Sequence, residues 1–163
     1  MRDALPESGG HAKVIGIGNA WRNDDGAGLA VARLLEGALP PEVEVLEREG
    51  EPTALIDSWD GEDAVWVVDA VSSGAAPGTV HRHDASSAEL PARLFDTSTH
   101  HFGLAETIEI ARALGRLPQS AVVYGIEGAS FDTGETLSPE VEAAAARVAA
   151  SVREEVAECT RRR

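Results

Sequence analysis

The sequence predicts an α/β domain built on a twisted, mostly parallel central sheet with helices on both faces. Three observations predict it. Short apolar runs alternate along the chain with stretches whose apolar residues recur at helical spacing, the order that parallel strands joined by crossover helices require. One of these runs, "AVWVV" ending at Asp69, is continuously apolar, as a strand covered on both faces should be. The chain has 163 residues, 43% hydrophobic and 26% charged, which suits one domain with a real core; no internal repeat or interdomain linker is visible.

The elements follow in order. Residues 1–12, rich in Gly, Pro, Ser and Glu, read as a flexible arm. Val14 to Gly18 reads as a buried strand ending in glycines. Ala27 to Leu39 carries Leu29, Ala32, Leu35 and Leu39 at helical spacing, and Pro40-Pro41 should stop it. Val43 to Leu46 is a second strand, Thr53 to Trp59 a short helix, and Ala64 to Asp69 the central strand. A turn at "SSGAAPG" leads to a weak strand around Thr79 to His83. The long irregular stretch "SSAELPARLFDTSTHHFG" precedes a helix over Leu104 to Leu114, and irregular stretches of that length in compact domains are often functional. "SAVVYGIEG" is a further strand. Ser138 and Pro139 supply N-cap and N1 chemistry for a last helix. The folded domain is expected over 13–158, with 159–163, ending in arginines, as a frayed tail.

A formal charge of -14 disfavours nucleic acid and anionic membrane as partners and favours cations. Cys159 is the single cysteine, so there is no internal disulfide framework. The first residues lack the apolar core of a signal peptide, and "AVWVV" is far short of a membrane span. These features predict a cytoplasmic protein.

The stretch "GIGNAWRNDDGAG" opens like a dinucleotide-binding loop. The third glycine of that fingerprint is replaced by Trp21, and the only lysine, Lys13, precedes the loop. Instead of positive charge the loop offers Asp24 and Asp25 at a helix start. There they can cap the helix or face outward. Asp69 ends the central strand, and in a doubly wound sheet ligands bind outside the carboxyl ends of the strands. With a 2-1-3 strand order, Asp25 and Asp69 face one crevice, and two desolvated carboxylates there need a proton, a cation or a metal between them. His100 and His101 precede another helix; adjacent residues rarely hold one ion together, so one of them at most is a ligand. Asp25, Asp69 and His100 would form an oxygen- and nitrogen-rich site suited to zinc, nickel or a similar ion. "HRHD", residues 81–84, places His81 and His83 on one strand face without a further ligand at typical spacing, and reads as a solvated edge strand.

Four segments, "VIGIGNAWRNDDGAGLAVARLL", "VWVVDAVSSG", "THHFGLAETIEIARALG" and "VYGIEGASFDTGETLSPEV", resemble the NiFe-hydrogenase maturation endopeptidases in order and spacing, over about Val14 to Val156. The resemblance implies an α/β peptidase domain that removes a C-terminal extension from a hydrogenase large-subunit precursor after nickel insertion. It implies that Asp25, Asp69 and His100 contact the metal, with Gly16, Gly18 and Asn19 shaping the loop. Many relatives have Glu at the position of Asp25 and Gln at that of His101. Many also carry Asp-Gly-Gly-Thr where this chain reads "EGEPT", so Glu49 and Gly50 fall in a segment implied to choose the substrate.

No His-Glu-x-x-His helix, Ser-His-Asp set or Cys-His set is apparent in the sequence. Two metal roles stay open. Nickel can arrive held by the precursor's thiolates, with the enzyme completing its coordination, or the enzyme can keep its own zinc or other divalent ion and generate hydroxide. Asp24 is a weak catalytic candidate that could position water, with helix capping as its other reading. The competing class is a non-catalytic α/β module binding a metal or small cationic ligand.

Overall fold

The computed structural model describes residues 11–95 and 103–162. Among these residues five strands form one sheet in the order β2-β1-β3-β5-β4: β1 Ala12–Ile17, β2 Val43–Arg48, β3 Ala64–Val71, β4 Val80–Asp84 and β5 Ser120–Glu127. β1, β2, β3 and β5 run parallel, and β4 lies antiparallel against β5 at one edge. The helices are α1 Ala27–Leu35, α2 Pro52–Trp59, α3 Ala92–Phe95, α4 Leu104–Ala113 and α5 Pro139–Arg161.

Strand alternation sorts the core into two layers. Val14, Trp66, Val68, Tyr124 and Ile126 point to the side covered by α1 and α5, where Val31, Leu35, Val148 and Val152 meet them. Ile15, Val65, Val67, Val71 and Val123 point to the side covered by α2, α3 and α4, against Trp59, Phe95 and Ile108. β3 is therefore apolar on both faces, which explains its unbroken hydrophobic run. Each such valine or isoleucine buried contributes about 1.5–3 kcal/mol of transfer free energy.

The chain leaves β1 for β2 on one side and later places β3 on β1's other side. That reversal is the topological switch point of a doubly wound sheet and opens a crevice at the carboxyl ends of β1 and β3. The 2-1-3 order expected from the sequence is the order found.

Several boundaries differ from the sequence reading. α1 ends at Leu35 rather than Leu39, because Glu36 leaves helical geometry (ψ 125°) and Gly37 turns the chain at φ 72° before the prolines are reached. β2 continues to Arg48, paired with Ile17. β3 runs past Asp69 to Val71, because β5 still pairs with it there. β1 takes in Ala12 from the expected arm, and α5 stays helical through Arg161, into the expected tail.

Candidate metal-binding crevice

The β1–β3 ladder ends at Gly16 and Val68. Asp69 is thus the first residue of β3 with no β1 neighbour, even though the strand itself continues. Beyond β1 the chain makes a 3-10 turn, Asn23–Gly26, that brings Asp25 to the same opening. Gly18 is needed there: a Cβ on it would lie 2.0 Å from the Asp25 carbonyl oxygen. Gly16, expected to shape the loop, lies within β1, inside the strand read over Val14 to Gly18. Its missing side chain makes room for α1, since its Cβ would fall 2.2 Å from the Gly28 carbonyl oxygen. The Asn19 backbone N–H donates to Asp25 Oδ2 at 3.1 Å, and the Asn19 side chain accepts from the Trp21 N–H at 2.9 Å. The loop glycines and asparagine thus shape the support of a carboxylate and leave no phosphate cradle.

Asp69 keeps a partial opening to the crevice. Even so, desolvation, followed by the negative charge of Asp25, pushes its carboxyl up to about 8, against a smaller opposing effect from the Ala70 N–H. Two acids whose charges disfavour one another at the mouth of an apolar sheet form a site that a divalent cation would relieve. Among the described residues no third histidine, cysteine or acid completes a metal cluster with them. His100, the third expected ligand, and its neighbour His101 lie outside the described residues.

Asp24 does something neither sequence reading foresaw. Its side chain is fully buried and does not cap the following helix. It reaches the β5–α5 connection and accepts from the N–H groups of Ala129 (2.7 Å), Ser130 (3.0 Å) and Ser138 (2.7 Å), and from the Ser138 hydroxyl (2.7 Å). Burial alone would raise its pKa, but these bonds outweigh burial and hold it below the usual value. Three of these donors converge on Oδ2 and one on Oδ1, so the carboxylate is committed to holding the connection. Ser138 does start α5, yet its hydroxyl serves Asp24 in place of its own helix.

Glu49 lines a groove of about 470 Å³ that runs from Gly18 and Asn19 past Trp21 to Arg48 and Glu51. Gly50 turns there at φ 95°. Glu51 is committed to capping α2, accepting from Thr53 N and Ala54 N at 3.0 and 2.8 Å. Trp21 stands 66% exposed on the rim.

The sequence reading missed a buried acid, Glu127, at the end of β5. It is 1% exposed and accepts from the Ser73 N–H and hydroxyl, with His81 Nε2 3.3 Å away. His81 and His83 occupy the predicted edge strand, but only Arg82 and Asp84 face solvent; His83 sets its ring edge-on to Phe95 at 5.8 Å. The serine, histidine and glutamate are not a nucleophile set. The hydroxyl donates to the carboxylate and not to the imidazole, so the serine–histidine contact of a catalytic triad is absent here. Cys159 lies at the opposite end of the sheet, beside Ser120 and Asp84, where β5 begins.

Fold and crevice together define a class: a doubly wound α/β domain with an acidic pair at its switch point. Residues 29–155 match the HycI family, described as hydrogenase maturation protease, and the chain belongs to that family. It is 32% identical over 133 residues to the hydrogenase expression/formation protein HupD of Rhodobacter capsulatus, covering 78% of this chain and 62% of that protein. It is 28% identical over 131 residues to HupD of Thiocapsa roseopersicina, covering 78% and 59%. The chain thus spans about 60% of the length of these relatives. The fold is similar to that of the hydrogenase maturating endopeptidase HybD from E. coli, with a TM-score of 0.72 and 27% identity over 89% of this chain and 93% of that one.

Proposed function

We propose that the protein is an endopeptidase that removes a C-terminal extension from a NiFe-hydrogenase large-subunit precursor after nickel insertion. Nickel is cargo of the precursor in this reading, and Asp25, Asp69 and His100 complete its coordination. The observation that carries the reading is the pairing of Asp25 and Asp69 at the carboxyl ends of β1 and β3, where each acid disfavours the other's charge. Such a pair favours a cation but leaves coordination positions for a partner's ligands. The metal would supply recognition and polarise the scissile region; the chain supplies the fixed carboxylates and a shaped groove. Positioning of this kind can be worth several kcal/mol of the barrier. Membership in the protease family supports the reaction class. The groove beside Glu49 and Gly50 would take the part of the precursor that distinguishes one hydrogenase from another. No helix among the described residues is long and apolar enough to cross a membrane, and the reading places processing in the cytoplasm.

The test is cleavage of purified precursor, with and without nickel, followed by mass spectrometry of the released peptide. Nickel-loaded precursor should lose its extension, and nickel-free precursor should not. Asp25→Ala, Asp69→Ala and His100→Ala should each abolish cleavage. Normal cleavage by all three variants would sink the site assignment. Cleavage of nickel-free precursor by protein carrying its own tight zinc would replace the cargo reading with a resident metal.

A further inference from the structure

We propose that Asp24 is a positioning residue for Asp25, acting by locking the loop that carries Asp25 onto the β5–α5 connection. The proposal rests on the proposed function for what Asp25 does, but its observations are separate.

Asp25 rides on a single 3-10 turn, an element with few internal bonds of its own. The turn is held from outside. Asn23 N donates to the Gly134 carbonyl and Gly134 N to the Trp21 carbonyl, both at 2.8 Å, and Asp24 N donates to the Ser130 carbonyl at 3.0 Å. Thr136 N donates to the Asn23 side chain at 3.2 Å, and Arg22 Nε donates to the Phe131 carbonyl at 3.3 Å. The two loops approach so closely that a Cβ on Gly134 would sit 2.2 Å from Asn23 Oδ1. Asn23 itself takes a left-handed φ of 47°, a conformation that asparagine tolerates better than most residues with a side chain.

Asp24 is the centre of this clasp. Its carboxylate gathers the two ends of the β5–α5 connection, Ala129 and Ser130 at one end and Ser138 at the other. All four contacts are neutral N–H or O–H donors. Donors reach both oxygens, so an asparagine that kept its oxygen at the Oδ2 position would set its own N–H groups against the Ser138 N–H. The next residue is then fixed on every side. The Asp25 N–H bonds the Arg22 carbonyl at 3.1 Å, its carbonyl lies against the bare Cα of Gly18, and its carboxylate meets Asn19 N. A metal-binding carboxylate depends on supports of this kind for its aim.

The experiment uses the full chain with Asp24→Asn, Ser138→Ala and Ser138→Thr, each alone, and Asp24→Asn also combined with Asp25→Ala. Three quantities are read: the melting temperature, the affinity for zinc alone by calorimetry, and kcat and KM for nickel-loaded precursor, all well below the melting range. Asp24→Asn should weaken zinc binding about tenfold or more, the usual cost of losing a ligand's support, and should raise KM. Ser138→Ala should move both in the same direction by less, and Ser138→Thr should restore them. On the Asp25→Ala background, Asp24→Asn should add no further loss of zinc affinity. An Asp24→Asn protein that melts lower yet binds zinc and cleaves like wild type would overturn the proposal, as would an added loss on the Asp25→Ala background. If Asp24→Asn does not fold, the serine pair decides: alanine loss with threonine rescue supports the proposal, and equal binding overturns it. A wild type that neither binds zinc nor cleaves precursor brings down the functional reading, and the proposal with it; in that case the wild type fails rather than the variant.

Discussion

Asp69 is held in a state that folding alone would not choose. Its carboxyl titrates near 8 in the folded chain against 3.8 unfolded, mainly through desolvation and then through Asp25. A group whose folded pKa is raised stabilises the fold below its unfolded pKa, and that contribution is lost as pH rises through the folded value. The metal-free protein should therefore lose stability on this account between about pH 4 and pH 8, and added zinc or nickel should restore it. Asp69→Asn should melt higher than wild type at about pH 9 without metal and show no metal-induced shift; a wild-type melting curve indifferent to pH over that range would refute the coupling. Asp24 has the opposite sign: its lowered pKa gives stability that is lost only as pH falls through the acid range. The sequence gives Asp69 a clear signal, since an acid closing an apolar run stands out. Asp24 gave none, because the donors that claim it begin 105 residues later. Local rules assign an acid at a helix start to the cap and carry no information about a distant loop.

At the scale of elements, α1 and β1 meet through paired glycines. A Cβ on Gly28 would fall 2.3 Å from the carbonyl oxygens of both Ile17 and Val68, and those backbone atoms cannot swing aside. Gly28→Ala should therefore destabilise the protein by about 1–3 kcal/mol, as overpacked sites do. It should also weaken metal binding, because the start of α1 follows directly on the turn bearing Asp25. Urea denaturation with calorimetry on the same variant checks both effects, and unchanged stability would mean the helix can shift freely. The sequence showed the existence and order of the elements well, for helical and strand spacing are local properties. Ends were harder. β3's last residues depend on β5, and the early stop of α1 depends on one left-handed glycine three residues before the first proline. The histidines of β4 looked solvated because a strand's alternation does not say which face is covered; α3 meets His83 through Phe95, and His81 lies beside Glu127.

For the whole molecule, one sheet is shared by two helical layers, so neither layer should melt alone. Ile108→Ala, at a site 1% exposed on the α4 side, should cost about 2–5 kcal/mol. The loss should register equally in far-UV circular dichroism and in tryptophan fluorescence. Two separate transitions would mean that the layers are independently stable. The doubly wound class was legible because the alternation of elements nearly determines it. The crevice was legible only as a consequence of strand order, which places Asp25 beside Asp69 across residues distant in the chain.

The two borders of the sheet bear on how a partner can approach. β2 carries Glu44, Glu47 and Arg48, and β4 carries Arg82 and Asp84, so among the described residues both edge strands present charge along their length. Charged margins discourage another extended chain from zipping on as an added strand. In the proposed function, a precursor tail is therefore not expected to be captured lengthwise along the sheet, where backbone pairing would accept almost any sequence. On that reading it would meet the protein end-on, at the crevice, where the identity of the cargo and the fit to the groove would decide whether it is held.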